Sequence, residues 1–473
     1  MARITRSSSF TSYHNLAKKG ENRRIWLEGE PLLRAGFMPG DFFRVELNVN
    51  TLAVSLTHVP DSPEARKAHA RKELRKVSRR DMGTWVKPIV DVCNADITGL
   101  FGEFARFRAQ AFAGRIEFGI HPEDLAQARR EKAFLANAQK GEIRKADAFL
   151  GLGLSSDAVA QGFANEGIKT KQIWAVEMEA RYLDIACLNS PERYQDAHMF
   201  CGKVEEVEKH LLEPVDAFSF SMACTNHSRQ GKTKKKLATA EMGDEVTSLF
   251  GVVEMIRAAN PAVMFSENVP DAMGSVTYEL LKKELSRLGY VCHDMILDQS
   301  HSGAIDRRRR YWMVAYSKGL NVNVESLMPA TRERTHQTFG EFMEDPQGDG
   351  VWHDAAKLQK RQDINLAAGR NFTMKKVKAD TTIVNTIPRN YTKHQVSNPH
   401  VFNEDESKYR LITINEHAHM KLIPPHLVQN CSATTAHEGM GQGIAYLHGV
   451  GVAEGFMRSV SFNNDHTQQR LPL

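Results

Sequence analysis

From Asp147 onward, apolar residues fall into short runs separated by longer segments with a period near that of a helix. The runs at 148–152, 173–177, 216–221, 262–266, 292–297 and 311–316 have the length of strands and carry few charges. Runs of this kind suit strands buried on both faces, each face covered by helices. The segments 156–165, 179–188, 244–259 and 277–288 supply helices of the right spacing. The alternation predicts a doubly wound α/β core over 146–316, whose strand ends would collect ligand-binding groups along one edge.

On either side the pattern changes. Residues 317–405 lose helical periodicity and are rich in Thr, Asn, Lys and Gln, which predicts a small second lobe, and 406–473 then return to the core. Upstream, Phe43, Val45, Leu47 and Val49, then Leu52, Val54 and Leu56, alternate as strands do. With the turn Gly36-Phe37-Met38-Pro39-Gly40-Asp41 they predict a small N-terminal β module over 1–62, which resembles the swapped-hairpin barrels of bacterial transition-state regulators. Residues 63–145 read as a basic helical region or linker, since Lys67, Arg71, Arg75 and Arg79 recur at helical spacing beside Lys72, Lys76 and Arg80. Such a stripe serves equally as a solvated face or as a phosphate-contacting one.

Composition narrows the class. At 473 residues, 41% hydrophobic and 25% charged, this is an ordinary globular chain with room for two or three domains. No apolar stretch reaches membrane-spanning length and the first residues lack the apolar core of a secretory signal, so we expect a cytoplasmic protein with no membrane partner. The cysteines at 93, 187, 201, 224, 292 and 431 show no CxxC spacing, so we expect neither a metal site nor a disulfide framework. The net charge of +5 is modest, but its clustering at 66–80 and 232–236 favours a nucleic-acid partner.

The candidate chemistry sits at the strand ends. Asp216-Ala217-Phe218-Ser219-Phe220-Ser221-Met222-Ala223-Cys224 delivers a thiol into the loop behind a strand, and Phe265-Ser266-Glu267-Asn268-Val269 ends another in a carboxylate. Asp306-Arg307-Arg308-Arg309-Arg310 leads into a third, where alternation lets only two of the arginines, such as Arg308 and Arg310, share a face. A thiolate adds to carbon 6 of cytosine if the displaced electrons are accommodated, by a carboxyl group near ring nitrogen 3 and a guanidinium near oxygen 2. Carbon 5 then becomes nucleophilic. Nearer the start of the core, Phe149-Leu150-Gly151-Leu152-Gly153-Leu154 opens a helix with a glycine turn, and Glu177 ends the next strand, suited to the ribose hydroxyls of a nucleoside.

In this order the motifs resemble those of the DNA cytosine-5 methyltransferase family over about residues 146–457. The resemblance implies a Rossmann-like, S-adenosylmethionine-dependent methyltransferase core, with 317–405 as its target-recognition lobe. It implies Cys224 as nucleophile, Glu267 gripping the base, Arg310 at the base oxygen and Arg308 orienting the site. Phe149, Gly151, Gly153, Glu177, Met178 and Gln442, the last in Gly439-Met440-Gly441-Gln442-Gly443-Ile444, would bind S-adenosylmethionine. Arg229, Lys232, Lys234, Lys235 and Lys236 fall in the loop that closes on DNA in the family, although the run alone would also suit a solvated surface. Arg410-Leu411-Ile412-Thr413-Ile414-Asn415-Glu416 and Leu422-Ile423-Pro424 match the family's ninth motif. The implied partner is double-stranded DNA, with the target cytosine flipped out of the stack.

The chain departs from the family pattern at several points. Ala223 replaces a proline, Leu154 a glycine, Lys203 an aspartate, Ile305 and Asp306 a proline and a glutamine, and Gln442-Gly443 two polar residues. Two other readings stand beside the first: a cytosine-5 methyltransferase acting on structured RNA, which the resemblance to the family also admits, and a noncatalytic DNA-binding protein on a methyltransferase scaffold, which Ala223, Lys203 and Gln442-Gly443 suggest. A restriction-modification partner and a solitary methylase would carry the same residues, and the oligomeric state is open.

Overall fold

The computed structural model describes residues 9–102, 104–222, 244–346 and 351–462. The chain forms two compact units that divide between Lys132 and Ala133.

The first unit is antiparallel. One sheet runs β1 (Phe10–Asn15), β9 (Arg106–Phe112), β10 (Arg115–Ile120), β5 (Ala53–Val59), β4 (Phe42–Asn48), β6 (Arg75–Lys76). A second runs β2 (Ala17–Lys19), β3 (Asn22–Glu28), β8 (Val86–Cys93), β7 (Ser78–Asp81). Alternate residues such as Val54 and Leu56, Phe107 and Ala109, and Ile25 and Leu27 meet in one core. The β module therefore continues to Ile120, well past the expected boundary at 62.

The basic stripe is not one helix. Only Pro63–Ala70 is helical there, started by Ser62, whose hydroxyl accepts from the Ala65 amide at 3.0 Å. Lys72 then turns left-handed at φ 64°, and β6 and β7 follow. The helix buries Ala65 alone, and a continuation could have added only Leu74 and Val77 to a core. Pairing against β4 and β8 satisfies that backbone instead.

The second unit holds a seven-stranded sheet in the order β13 (His198–Cys201), β12 (Lys169–Glu177), β11 (Glu142–Ala148), β14 (Ala217–Phe220), β15 (Val263–Asn268), β17 (Arg310–Ser317), β16 (Tyr290–Leu297). Neighbours from β13 to β15 are parallel, and β17 is antiparallel to both its neighbours. Both faces are covered. Val263, Phe265, Trp312 and Val314 pack with helices Leu154–Asn165 and Tyr446–Ser459, while Met264, Tyr311 and Met313 pack with Ser248–Ala259 and Val276–Arg287. The strand order reverses between β11 and β14, where doubly wound sheets open a crevice beyond the strands' carboxyl ends.

The first core strand lies earlier than predicted, at Glu142–Ala148 instead of 148–152. Its charges concealed it: Lys145 and Asp147 are both buried, the ammonium 2.5 Å from the carboxylate and 3.0 Å from the Ser156 hydroxyl. Partnered in this way, the two charges occupy a central strand that composition alone would reject.

The polar strip folds around a small sheet, β18 (His353–Asp354), β21 (Lys408–Arg410), β20 (Pro399–Phe402), β19 (Lys375–Val377). It also contains a helix, Ala356–Ala367, that the periodicity did not suggest, because among its described residues only Leu358 is buried.

Candidate active site

After β11 the chain turns sharply, with Phe149, Gly151 and Gly153 all left-handed at φ 58°, 56° and 80°. Glycine takes that conformation freely, whereas Phe149 adopts it at a steric cost. The turn aims backbone amides at the end of β12. Gly151 N–H donates to one carboxylate oxygen of Glu177 at 2.7 Å, and Glu179 N–H donates to the other at 2.9 Å. The acid is thus buried yet fixed in direction.

Phe149, Gly151, Glu177, Met178 and Gln442 line a cavity of about 380 Å³, joined by Tyr182, Arg389 and Asn268, which sequence reasoning missed. Gly153 is set behind them, where it caps the helix and where a Cβ would lie 2.9 Å from the Tyr194 hydroxyl. The opposite wall is the end of helix Ala433–Gln442. Gly439 lets it approach the glycine turn, since a Cβ there would stand 2.2 Å from Leu152 Cδ1. The Gln442 amide donates to the Tyr182 hydroxyl at 3.1 Å.

The other side of the cavity gathers charge. Ser221 and Met222, beyond β14, line it together with Glu267 and Asn268 at the end of β15. Glu267 is buried, with Oε1 2.9 Å from Arg310 Nε. The Asn268 amide donates to Met222 O at 3.0 Å and to the Tyr278 hydroxyl at 3.2 Å, which fixes the chain two residues before Cys224. Cys224 itself, with Arg229, Lys232, Lys234, Lys235 and Lys236, lies outside the described residues.

The expected alternation holds at the arginines: Arg307 and Arg309 are exposed, and Arg308 and Arg310 turn inward. Arg308 is fully enclosed and donates to Gly441 O at 3.1 Å and Gln442 O at 3.3 Å, tying the entry of β17 to the far wall. Beside them sits Lys421, a buried lysine with no signal in the sequence pattern. Its ammonium donates to Met440 O and Gly443 O, and burial followed by repulsion from Arg308 holds it well below the usual lysine range. Asp306 and Glu267 act in the opposite sense on it. The Asp306 carboxylate is buried and makes no hydrogen bond among the described residues, and its charge favours the protonated form of Lys421 against burial.

The spacing of the ninth motif has a structural reason. Thr413 caps helix Ile414–Met420 in a reciprocal capping box with Glu416. Arg410 holds the same Glu416 through both guanidinium nitrogens, at 2.7 and 2.8 Å, in a fully buried pair. The motif therefore joins β21 to the helix that carries Lys421. Among the described residues no group of three or more His, Cys, Asp or Glu could hold a metal, and no helix is long and apolar enough to cross a membrane.

A sheet of this order, with its antiparallel seventh strand and a glycine turn at the switch point, defines a Rossmann-like methyltransferase fold. The fold is shared with an Entamoeba histolytica methyltransferase, EhMeth, at a TM-score of 0.53 and 13% identity, covering 67% of this chain and 98% of that one. A Spodoptera frugiperda DNMT2 mutant aligns at 0.51 and 12% identity, over 66% of this chain and 99% of its own. Within that class the chain belongs to the C-5 cytosine-specific DNA methylase family, whose pattern matches residues 146–446. It is similar to the type II methyltransferase M.MspI of Moraxella sp, 25% identical over 272 residues, 57% of this chain and 62% of that protein. M.SsoII of Shigella sonnei is 24% identical over 208 residues, 42% and 54% respectively. The chain thus spans between 54% and 62% of the length of these two relatives.

Proposed function

We propose that this protein is a DNA cytosine-5 methyltransferase that draws on S-adenosylmethionine and acts on a cytosine flipped out of the duplex. The observation that carries the reading is the buried Glu267–Arg310 pair beside a cavity already furnished with a glycine turn and a fixed carboxylate. The cavity has the size of a small-ligand site. Its donors suit a nucleoside cofactor: Glu177 would take the ribose hydroxyls, and Phe149, Gly151, Met178 and Gln442 would line the rest, with Gly153 setting the turn. When bound, S-adenosylmethionine supplies an electrophilic methyl group to carbon 5 of the base.

The chain's own residues prepare that carbon and restore the ring. Cys224, as thiolate, forms a bond to carbon 6, and the displaced electron pair passes through the ring to nitrogen 3. Glu267, taking up a proton from solvent as the base enters, passes it to nitrogen 3, and Arg310 donates to oxygen 2, so the charge develops beside groups already desolvated for it. Once carbon 5 carries the methyl group its proton passes to solvent water, the double bond to carbon 6 re-forms, the thiolate leaves, and nitrogen 3 returns its proton to Glu267. A free thiol is only a few per cent ionised at neutral pH, so basic side chains near Cys224 would favour its reactive form. Flipping the base costs on the order of a few kcal/mol, offset by contacts to the lobe and by phosphate contacts from Arg229, Lys232, Lys234, Lys235 and Lys236.

The test is expression in a host without cytosine methylation, followed by base-resolution sequencing. The expected result is 5-methylcytosine at one short sequence, absent with Cys224→Ala. Methylation that persists in that variant would remove the proposed nucleophile, and methylation found only on RNA would move the substrate.

A further inference from the structure

Strand β7 buries none of its residues, and exposure continues without a break from Ser78 to Val86. Yet the segment is ordered by a full ladder to β8, through Ser78↔Ile89, Arg79↔Pro88, Arg80↔Lys87 and Asp81↔Val86. The turn at its tip is equally firm. Met82 N–H donates to Trp85 O at 3.0 Å, Gly83 N–H donates to an Asp81 carboxylate oxygen at 2.8 Å, and Gly83 takes the left-handed conformation at φ 80°.

That tip displays large apolar groups. Met82, Trp85 and Val86 are 48%, 41% and 40% exposed, on a stretch from Ser78 to Val86 that buries no residue, while the rest of β8 anchors it in the core through Val90 and Val92. Display of this kind on a rigid element marks a contact surface. The surrounding charge identifies the partner. Arg79 on β7, and Lys76 on the strand just before it, are exposed and form no ion pair among the described residues. Of the acids nearby, Glu73 lies 3.6 Å from Arg71, Glu28 lies 3.3 Å from Arg80 and 2.5 Å from Lys87 on the ribbon itself, and Asp81 accepts from the Gly83 amide at 2.8 Å. Basic side chains leading up to an apolar tip suit a polyanion whose grooves accept apolar side chains.

We propose that the β7–β8 ribbon is a duplex-DNA contact of the first unit, with Arg79, and Lys76 on the preceding β6, on phosphates and Met82 and Trp85 against the groove. Two-stranded ribbons fit DNA grooves, and apolar side chains at such tips press on sugar edges and base steps. The choice of DNA over other polyanions rests on the methyltransferase reading; the ribbon's role in binding does not.

The test uses the full chain and a labelled duplex of mixed sequence, with affinity read by fluorescence anisotropy over a salt series in the absence of S-adenosylmethionine. Lys76→Gln with Arg79→Gln should weaken binding and lower the slope of log affinity against log salt by about 0.9 for each phosphate that is no longer neutralised. Trp85→Ser should weaken binding roughly tenfold at an unchanged slope, the signature of an apolar contact. Melting temperatures should stay at the wild-type value, since these side chains support no core. Unchanged affinity and slope in both variants would overturn the proposal, and so would losses confined to duplex RNA. Methylation assayed in parallel separates the two readings: a wild type that methylates nothing while the variants lose DNA affinity leaves the ribbon standing and removes the enzyme.

Discussion

The two sides of the cavity are built by different physics. The side formed by residues 149–154 and Glu177 is made of backbone: left-handed turns and amides that hold one carboxylate, all within a single strand–helix–strand unit. The other side takes Glu267 from β15 and backs it with Arg308 and Arg310 from the entry to β17 and Lys421 from beyond helix Ile414–Met420. It closes on the carbonyls of Met440, Gly441, Gln442 and Gly443. The first side takes its shape from neighbours in the chain, with Gly439 the distant position that must stay small beside it. The second depends on charges removed from water that must offset one another, so each member is exposed to changes in the others.

The largest effect should come from breaking that compensation. Lys421→Met would remove the attraction between Lys421 and the buried Asp306 and lower stability by about 3 kcal/mol, read as a fall in melting temperature. Adding Asp306→Asn should recover most of the loss, and a double variant no better than the single one would show that the two charges do not compensate. Glu267→Gln should then separate chemistry from cofactor binding. Turnover is expected to fall by about 10²–10³-fold in single-turnover methylation, with S-adenosylmethionine affinity unchanged by calorimetry. Equal losses in both would mean that the two sides are not independent. Glu177→Gln makes the reverse cut: cofactor affinity should drop by roughly tenfold to a hundredfold, about 1.4–2.8 kcal/mol, with turnover at saturation near wild type. A loss of turnover that saturating cofactor does not restore would contradict it.

The smallest effect concerns the lobe on which the charged side leans. Residues at the entry to β17 pair with Val384, Arg307 N–H donating to its carbonyl at 2.8 Å. Burial holds His400 in the lobe, and His437 and His448 in the closing helices, at about 4 against an ordinary 6.5. Because the folded values are depressed, acidification protonates the unfolded chain first. The stability these residues contribute is complete above pH 6.5, declines as pH falls toward 4 and levels off below. His400→Phe, which keeps a ring against Tyr409, should therefore flatten the decline of melting temperature over that window. An unchanged slope would exclude His400 as a contributor.

Local order was readable along the chain to different depths. The glycine turn, Glu177, Glu267 and the inward alternation of Arg308 and Arg310 all lie at strand ends whose neighbours in sequence set their direction. Periodicity failed where charge was hidden, as at Lys145 and Asp147 in β11, and where a basic stripe had no apolar face to sustain a helix, as at Arg71–Arg80. It also passed over Ala356–Ala367, a helix with too little buried surface to leave a pattern.

The sequence alone determined the doubly wound core, the order in which its functional groups arrive and the turn that presents a carboxylate, because each depends on residues a few positions apart. Only the tertiary structure decided that Lys421 would answer Asp306, that Tyr182 and Arg389 would enter the cavity and that Asn268 would fix the approach to Cys224. A buried charge or a polar wall is stable only with its partner in place, and those partners lie far along the chain, where no local pattern records them.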